Sequence, residues 1–95
     1  MSQKQKMKEM RKLFREGVFK RDGFKCVFCE EKRNLDAHHI INRKKIIFDG
    51  YTIFNGITLC PKHHWDAEDG ILSEDFLFAK INSSKEKAVK DLLNK

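Results

Sequence analysis

The chain reads Cys60-Pro61-Lys62-His63-His64 in its second half, and an earlier stretch, Cys26-Val27-Phe28-Cys29, has a matching spacing. In each stretch two side chains that bind zinc are separated by two residues, a spacing that lets a tight turn chelate one ion. Together the two pairs supply three thiolates and one imidazole, which predicts a closed, structural Zn²⁺ site. The predicted ligands are Cys26, Cys29, Cys60 and His63. The alternative is three small buried side chains and a surface histidine.

Length and composition favour a single domain. A chain of 95 residues buries only about 60 to 65% of the surface that its unfolded form exposes, so a metal would add needed stability. Three cysteines, an odd number, favour metal ligands or buried thiols over disulfides. No apolar run is long enough to cross a membrane, and residues 1–6 lack the apolar stretch of a secretory signal. We therefore expect a cytoplasmic protein with no membrane partner.

The net charge of +6 is concentrated near the start of the chain. Residues 1–25 contain nine Lys or Arg and three Asp or Glu, whereas residues 26–95 contain eleven of each kind. A basic segment of this kind suits a nucleic-acid partner, because each phosphate that it neutralises releases counterions. A solvated helix face is the alternative.

Apolar residues at intervals of three and four predict an amphipathic helix over residues 4–20. They are Met7, Met10, Leu13, Phe14 and Val18. Residues 35–41 and 53–59 are short and apolar, which predicts two strands that pair as a hairpin. The segment between them, 42–52, carries a basic run and the turn signal Asp49-Gly50, so we expect an exposed loop. Its basic residues, Arg43, Lys44 and Lys45, are candidate phosphate contacts, with a solvated surface as the alternative.

Helices are predicted for most of the remaining chain. Pro61 suits the first turn of a helix that runs to about Asp69 and stops at Gly70. Ser73 and Ser83 are typical N-caps and favour helices over 74–81 and 84–94. The result is one α+β domain over residues 1–95, with a basic N-terminal helix (1–22), a central region (23–69) and a C-terminal helical extension (70–95).

A second group of polar residues lies near the predicted zinc site. Successive helix residues point about 100° apart, so His64 faces a different surface from His63. The predicted hairpin carries His38 and His39 on one strand and Asn55 on the other. These residues could meet in one cleft.

Three stretches resemble the HNH nuclease family. They are Leu35-Asp36-Ala37-His38-His39-Ile40, Asn55-Gly56-Ile57-Thr58-Leu59-Cys60 and His63-His64, and the likeness covers roughly residues 11–69. It implies that residues 23–69 form a zinc knuckle and a ββα-metal core, a hairpin and a helix around one catalytic divalent ion. His39, Asn55 and His64 match the letters of the family name. Many members have Asp where this chain has His38, whereas colicin-type nucleases share the His-His form and use the first histidine as a metal ligand.

The same residues suit phosphodiester hydrolysis. His39 can be neutral at pH 7 and accept a proton from water. His38 and His64 can hold a divalent ion that acts as a Lewis acid, with Mg²⁺ or Mn²⁺ expected and Ni²⁺ or Zn²⁺ as alternatives. Glu68, one turn beyond His64, is a candidate third ligand. The resemblance implies that Asn55 bonds to backbone across the hairpin and so fixes the ring of His39.

Adjacent residues of a regular strand point to opposite faces, so His38 and His39 can share a cleft only where the strand bends or ends. We predict a strand end at His39. Bulky aromatic residues are otherwise expected in the core. They are Phe14, Phe24, Phe28, Phe48, Phe54 and Trp65, the last with base stacking as its alternative.

The sequence thus predicts a DNA endonuclease, one that nicks a single strand if it acts as a monomer and cuts both if it acts as a homodimer. The resemblance suggests a phage or bacterial origin and a DNA-packaging or mobile-element partner. One alternative is a non-catalytic zinc module that binds nucleic acid. Another is that the histidines form a second structural metal site.

Overall fold

The computed structural model describes residues 2–94, which form four α-helices and one two-stranded antiparallel sheet. The α+β class is confirmed. The elements are α1 (Gln3–Arg21), β1 (Asp36–His39), β2 (Gly56–Leu59), α2 (Pro61–Glu68), α3 (Glu74–Lys80) and α4 (Lys85–Leu93). Among residues 2–94, no helix has both the length and the apolar character needed to span a membrane.

Helix α1 begins with a capping box and ends against the sheet. The Ser2 side chain accepts a hydrogen bond from the Gln5 amide, and the Gln5 side chain accepts one from the Ser2 amide. At the other end, the Asp22 carboxylate accepts a hydrogen bond from the amide of Thr58 at 2.9 Å, in β2. Phe14 and Val18 are buried, but Leu13 is 58% exposed, so its place in the predicted apolar stripe is wrong. The buried stripe is narrower than the sequence pattern.

The hairpin has the predicted antiparallel pairing, with strands shorter than predicted. His38 pairs with Ile57 and His39 with Gly56. Ile53–Asn55 forms a 3₁₀ turn, so Asn55 precedes β2 instead of lying on it. The Asn55 side chain explains this difference, because its hydrogen bonds to the backbone of Ile41 replace regular strand pairing at this point.

The segment between the strands contains two more 3₁₀ turns, Arg43–Lys45 and Ile47–Gly50. The basic residues are exposed, as predicted. Phe48 and Asp49 have left-handed backbone, with φ of 51° and 54°. Phe48 is 60% exposed, Phe24 59% and Trp65 69%, so their assignment to the core is wrong. Size and apolar character suggested the core, but this small domain already fills it with other side chains.

The later helices begin and end close to the predicted residues. Pro61 is the first residue of α2, and the Ser73 side chain accepts a hydrogen bond from the Phe76 amide at the start of α3. The prediction that Ser83 caps α4 is wrong by one residue. Ser84 is the N-cap, while the Ser83 hydroxyl donates to the Phe54 carbonyl and ties the start of α4 to the turn before β2.

The sheet has a packed layer on each face. On one face, Ile57 and Leu59 pack with Leu77 and Phe78 of α3. On the other, Ala37 packs with Phe14 and Val18 of α1 and with Tyr51. Because side chains alternate along a strand, Asp36 and His38 lie on the α2–α3 side, and His39 lies on the α1 side with Ala37.

We predict that Gly56→Ala destabilises the fold by about 2 to 3 kcal/mol. A Cβ at Gly56 would lie 2.5 Å from Val18 Cγ2 and 2.6 Å from the Phe14 ring, so α1 must shift away from β2. Urea unfolding measures the loss. Gly70→Ala is the comparison, because a Cβ there meets no atom within 4 Å and only the positive φ of 79° opposes it, at a cost of about 1 kcal/mol. Equal losses in the two variants would contradict the close packing at Gly56.

Candidate functional site

The four predicted zinc ligands come together. The ligand atoms of Cys26, Cys29, Cys60 and His63 all lie within 4.8 Å of one another. The Cys29 and Cys60 sulfurs are 3.5 Å apart, and His63 Nδ1 is 3.2 Å from the Cys60 sulfur. A tetrahedral zinc with Zn–S of about 2.3 Å and Zn–N of about 2.0 Å separates its ligands by roughly 3.5 to 3.8 Å. The cluster is therefore compatible with structural zinc.

Backbone hydrogen bonds shape the first cysteine pair into a turn. The Glu30 amide donates to the Cys26 carbonyl at 3.0 Å, and the Val27 amide donates to the Thr58 carbonyl of β2 at 3.2 Å. Burial raises the pKa of the Cys26 thiol, but backbone hydrogen bonds outweigh burial and bring this pKa below its ordinary value. A lowered pKa favours the thiolate, the form that binds zinc.

Two adjacent histidines of α2, His63 and His64, belong to different clusters. His63 faces the cysteines, whereas the ring of His64 lies 5.1 Å from the ring of His38, centroid to centroid. His64 Nε2 is 3.1 Å from a Glu68 carboxylate oxygen, and His38 Nδ1 is 3.8 Å from the same oxygen. The ligand atoms of His38, His64 and Glu68 lie within 4.8 Å of one another. Two imidazoles and one carboxylate thus converge beside the Cys3His cluster.

This second cluster has the dimensions of a metal site. Nitrogen and oxygen ligands at about 2.1 Å from one ion lie about 3.0 Å apart at right angles and about 3.4 Å apart in a tetrahedron. The observed separations of 3.1 and 3.8 Å bracket the second value. Burial, reinforced by the neighbouring His64, lowers the pKa of His38 below its ordinary value. A lowered pKa favours the neutral imidazole, the form that can bind a metal.

Asp36 joins this cluster, although the sequence reasoning did not single it out. Its carboxylate lies 3.4 Å from His64 Nε2 and 3.6 Å from an Arg15 guanidinium nitrogen. Asp36 and His38 are two residues apart on β1 and so share one face. The alternation of side chains along a strand is therefore the sequence signal that points to Asp36.

His39 occupies the opposite face of β1. Its ring stacks on Phe14 with centroids 4.4 Å apart and meets Tyr51 edge-on at 5.3 Å. Its Nε2 atom is buried and has no hydrogen-bond partner among residues 2–94. Burial is the largest cause that lowers the pKa of His39 to about 4, followed by the positive charge of Arg43. His39 is a neutral imidazole at pH 7.

A cleft of about 550 Å³ joins the two faces of the hairpin. His38, His39, His64 and Glu68 all line it. Strand β1 ends at His39, as predicted. Because the strand ends there, the cleft wraps around its end, and adjacent side chains on opposite faces reach the same space.

Asn55 does not line this cleft. It is fully buried, and its side-chain oxygen accepts a hydrogen bond from the Ile41 amide at 2.9 Å. Its side-chain nitrogen donates to the carbonyls of Ile41 and Gly50. Asn55 therefore holds the backbone just after His39, while the ring contacts of His39 come from Phe14 and Tyr51. The chain's single tyrosine carried no motif, so the sequence reasoning passed over it.

Only one of the three candidate phosphate contacts lines the cleft. Arg43 does so, with its guanidinium 5.6 Å from the centroid of the Tyr51 ring and 3.6 Å from Asp49. Lys44 and Lys45 are exposed and lie outside the cleft lining.

No protein-family model, curated protein or solved structure matches the chain.

We predict that the purified protein contains about one zinc per chain and that His63→Ala releases it. Removal of one ligand leaves three thiols that must close without the ion, so the melting temperature falls by at least roughly 10 °C. His63→Cys is the matched control, since it keeps four ligands and should retain zinc. Elemental analysis and calorimetry measure both effects. The zinc site would be contradicted if the purified wild-type protein contained no metal and His63→Ala had the same melting temperature as wild type.

We also predict that the pKa of His39 in the folded protein lies near 4, well below the ordinary value. The proton binds less readily because it would charge a buried ring near Arg43, so His39 stays neutral until the pH falls below about 5. NMR titration of the histidine ring signals measures the pKa. Arg43→Gln should raise it, and Lys44→Gln, outside the cleft, should not. A His39 pKa of 6.5 or higher counts against the buried site.

Proposed function

We propose that the chain is a metal-dependent endonuclease of the HNH type that hydrolyses phosphodiester bonds in DNA. One observation carries the proposal: His38, His64 and Glu68 converge in the same cleft as the neutral side chain of His39. A metal cluster and a separate proton acceptor are what the hydrolysis of a phosphodiester requires. The hairpin and helix that supply these residues follow one another in the order β1, β2, α2, which agrees with a ββα-metal core.

The donor set fits a divalent ion. Glu68 suits Mg²⁺ or Mn²⁺, while His38 and His64 would also accept Ni²⁺ or Zn²⁺. When bound there, the ion would supply Lewis-acid stabilisation to the phosphate oxygens. His38, His64 and Glu68 would hold the ion, and all three line the cleft that would receive the substrate.

His39 is the proposed general base. Of its two ring nitrogens, Nε2 is buried, so Nδ1 is the atom that would take the proton from a water in the cleft. Phe14 and Tyr51 hold the ring in place, so the base does not have to be ordered during the reaction. Its low pKa keeps it deprotonated at neutral pH but makes it a weak base, so the rate depends on good positioning.

Asn55 is the proposed positioning residue. Its bonds to Ile41 and Gly50 fix the backbone on both sides of the connecting segment, which places His39 at the end of β1 and Tyr51 against it. It acts through backbone and takes no part in proton transfer.

We predict that the protein, with its zinc retained, converts supercoiled plasmid to nicked or linear DNA when Mg²⁺ or Mn²⁺ is added. His39→Ala should lower the rate by at least about 100-fold because it removes the base. Glu68→Gln should raise the metal concentration needed for half-maximal rate by at least about tenfold. Glu86→Gln, exposed on α4 and outside the cleft lining, is the matched control and should behave like wild type.

Zinc content and circular dichroism establish that each variant is folded, and His39→Gln provides a second variant that leaves less space behind. The ratio of nicked to linear product reports whether monomers or homodimers act. If neither wild type nor His39→Ala cuts with Mg²⁺, Mn²⁺, Ni²⁺ or Zn²⁺, yet both bind DNA equally, catalysis is excluded and a zinc-stabilised binding module takes its place.

A further inference from the structure

Three arginine side chains line the cleft. Arg11 and Arg15 come from α1, and Arg43 comes from the turn after β1. Arg11 and Arg15 are four residues apart, so they share a face of the helix and are displaced by about 6 Å along its axis. Arg15 lies beside Asp36, and the positive charge of Arg43 acts on His39.

Tyr51 contacts two of the arginines. The Nε–H of Arg11 donates to the Tyr51 hydroxyl at 3.4 Å, and the Arg43 guanidinium lies over the face of the same ring. Tyr51 is buried and also touches His39. Tyr51 thus links two guanidinium groups of the cleft to the His39 ring.

The acidic contacts of Arg15 and Arg43 are weak. Arg15 lies 3.6 Å from Asp36 and Arg43 lies 3.6 Å from Asp49, and both arginine side chains are more than 40% exposed. Exposed pairs at this distance contribute about 0 to 1 kcal/mol, so a phosphate can replace the carboxylates at small cost. Guanidinium groups can bind phosphate oxygens through two parallel hydrogen bonds.

Three acidic residues line the cleft, and of these Asp36 forms an ion pair with Arg15. Glu68 belongs to the metal cluster and Glu74 lies at the start of α3. The three arginines therefore line the same cleft as the metal cluster, and Asp36 lies between Arg15 and His64. A chain of phosphates laid along the cleft would meet their guanidinium groups.

We propose that Arg11, Arg15 and Arg43 form a phosphate clamp that binds the nucleic-acid backbone next to the bond that is cut. The ligand is a phosphodiester strand recognised through its phosphates, so the clamp adds affinity without base specificity. The proposal rests on the proposed function for the identity of the bond that is cut. The binding of phosphates by the clamp can be measured without cleavage.

The test compares two double variants of α1 that remove the same charge. Arg11→Gln with Arg15→Gln removes the clamp, whereas Lys8→Gln with Lys12→Gln removes two exposed lysines one turn apart that do not line the cleft. Each pair is placed in the His39→Ala background, so that DNA is bound but not cut. The dissociation constant for a fluorescent DNA duplex is measured over a range of KCl concentrations.

The arginine pair should weaken binding at least about tenfold and reduce the slope of log Kd against log[KCl] by about 2, because two phosphate contacts are lost. The lysine pair should leave the slope unchanged. Arg11→Lys with Arg15→Lys keeps the charge and should retain most of the slope, which guards against a folding defect. Equal effects of the arginine and lysine pairs, or no effect of either, would overturn the clamp.

Cleavage assays separate the two proposals. For these assays the same α1 variants are made in protein that retains His39. If wild type cuts and the arginine pair cuts no worse than the lysine pair, the clamp fails and the nuclease stands. If wild type does not cut but the salt slope falls only for the arginine pair, the clamp stands and catalysis fails.

Discussion

Both candidate sites depend on one constraint, the orientation of α2 about its own axis. His63 is directed at the three cysteine sulfurs, and the next residue, His64, must then point about 100° away, towards β1. Glu68 follows one turn later on the same side. A zinc ion bound by the Cys3His cluster would therefore also fix the direction of His64 and Glu68 in the second cluster. A single peptide bond, between His63 and His64, connects the two clusters.

The hairpin has the same kind of arrangement, since it also places two adjacent histidines in different surroundings. His38 faces His64 and Glu68, whereas His39 faces Phe14 and Tyr51. Burial lowers the pKa of each, which favours the neutral imidazole in both positions. One is placed among acidic and imidazole ligands and the other against aromatic rings, so the same residue type is suited to metal binding in one position and to proton transfer in the next.

The sequence was informative where spacing alone sets the geometry. The paired spacings predicted the cluster of Cys26, Cys29, Cys60 and His63, and the helical period predicted that His64 faces elsewhere. It was less informative where the answer depends on contacts between distant residues. The ring of His39 is held by Phe14 from α1 and by Tyr51 from the connecting segment, and neither position has a local pattern that reveals this. The exposure of Phe48 depends on left-handed backbone that no apolar period predicts.

The stack of Phe14 on His39 also determines which segment of the chain could be moved into another protein with the surroundings of His39 preserved. The cysteine pairs, the hairpin and α2 are continuous in sequence, and a recombination event that begins at Cys26 would carry both metal-ligand clusters intact. It would leave behind the ring that covers one face of His39. A segment that keeps His39 in its buried surroundings therefore begins within α1, upstream of every histidine and cysteine in the chain.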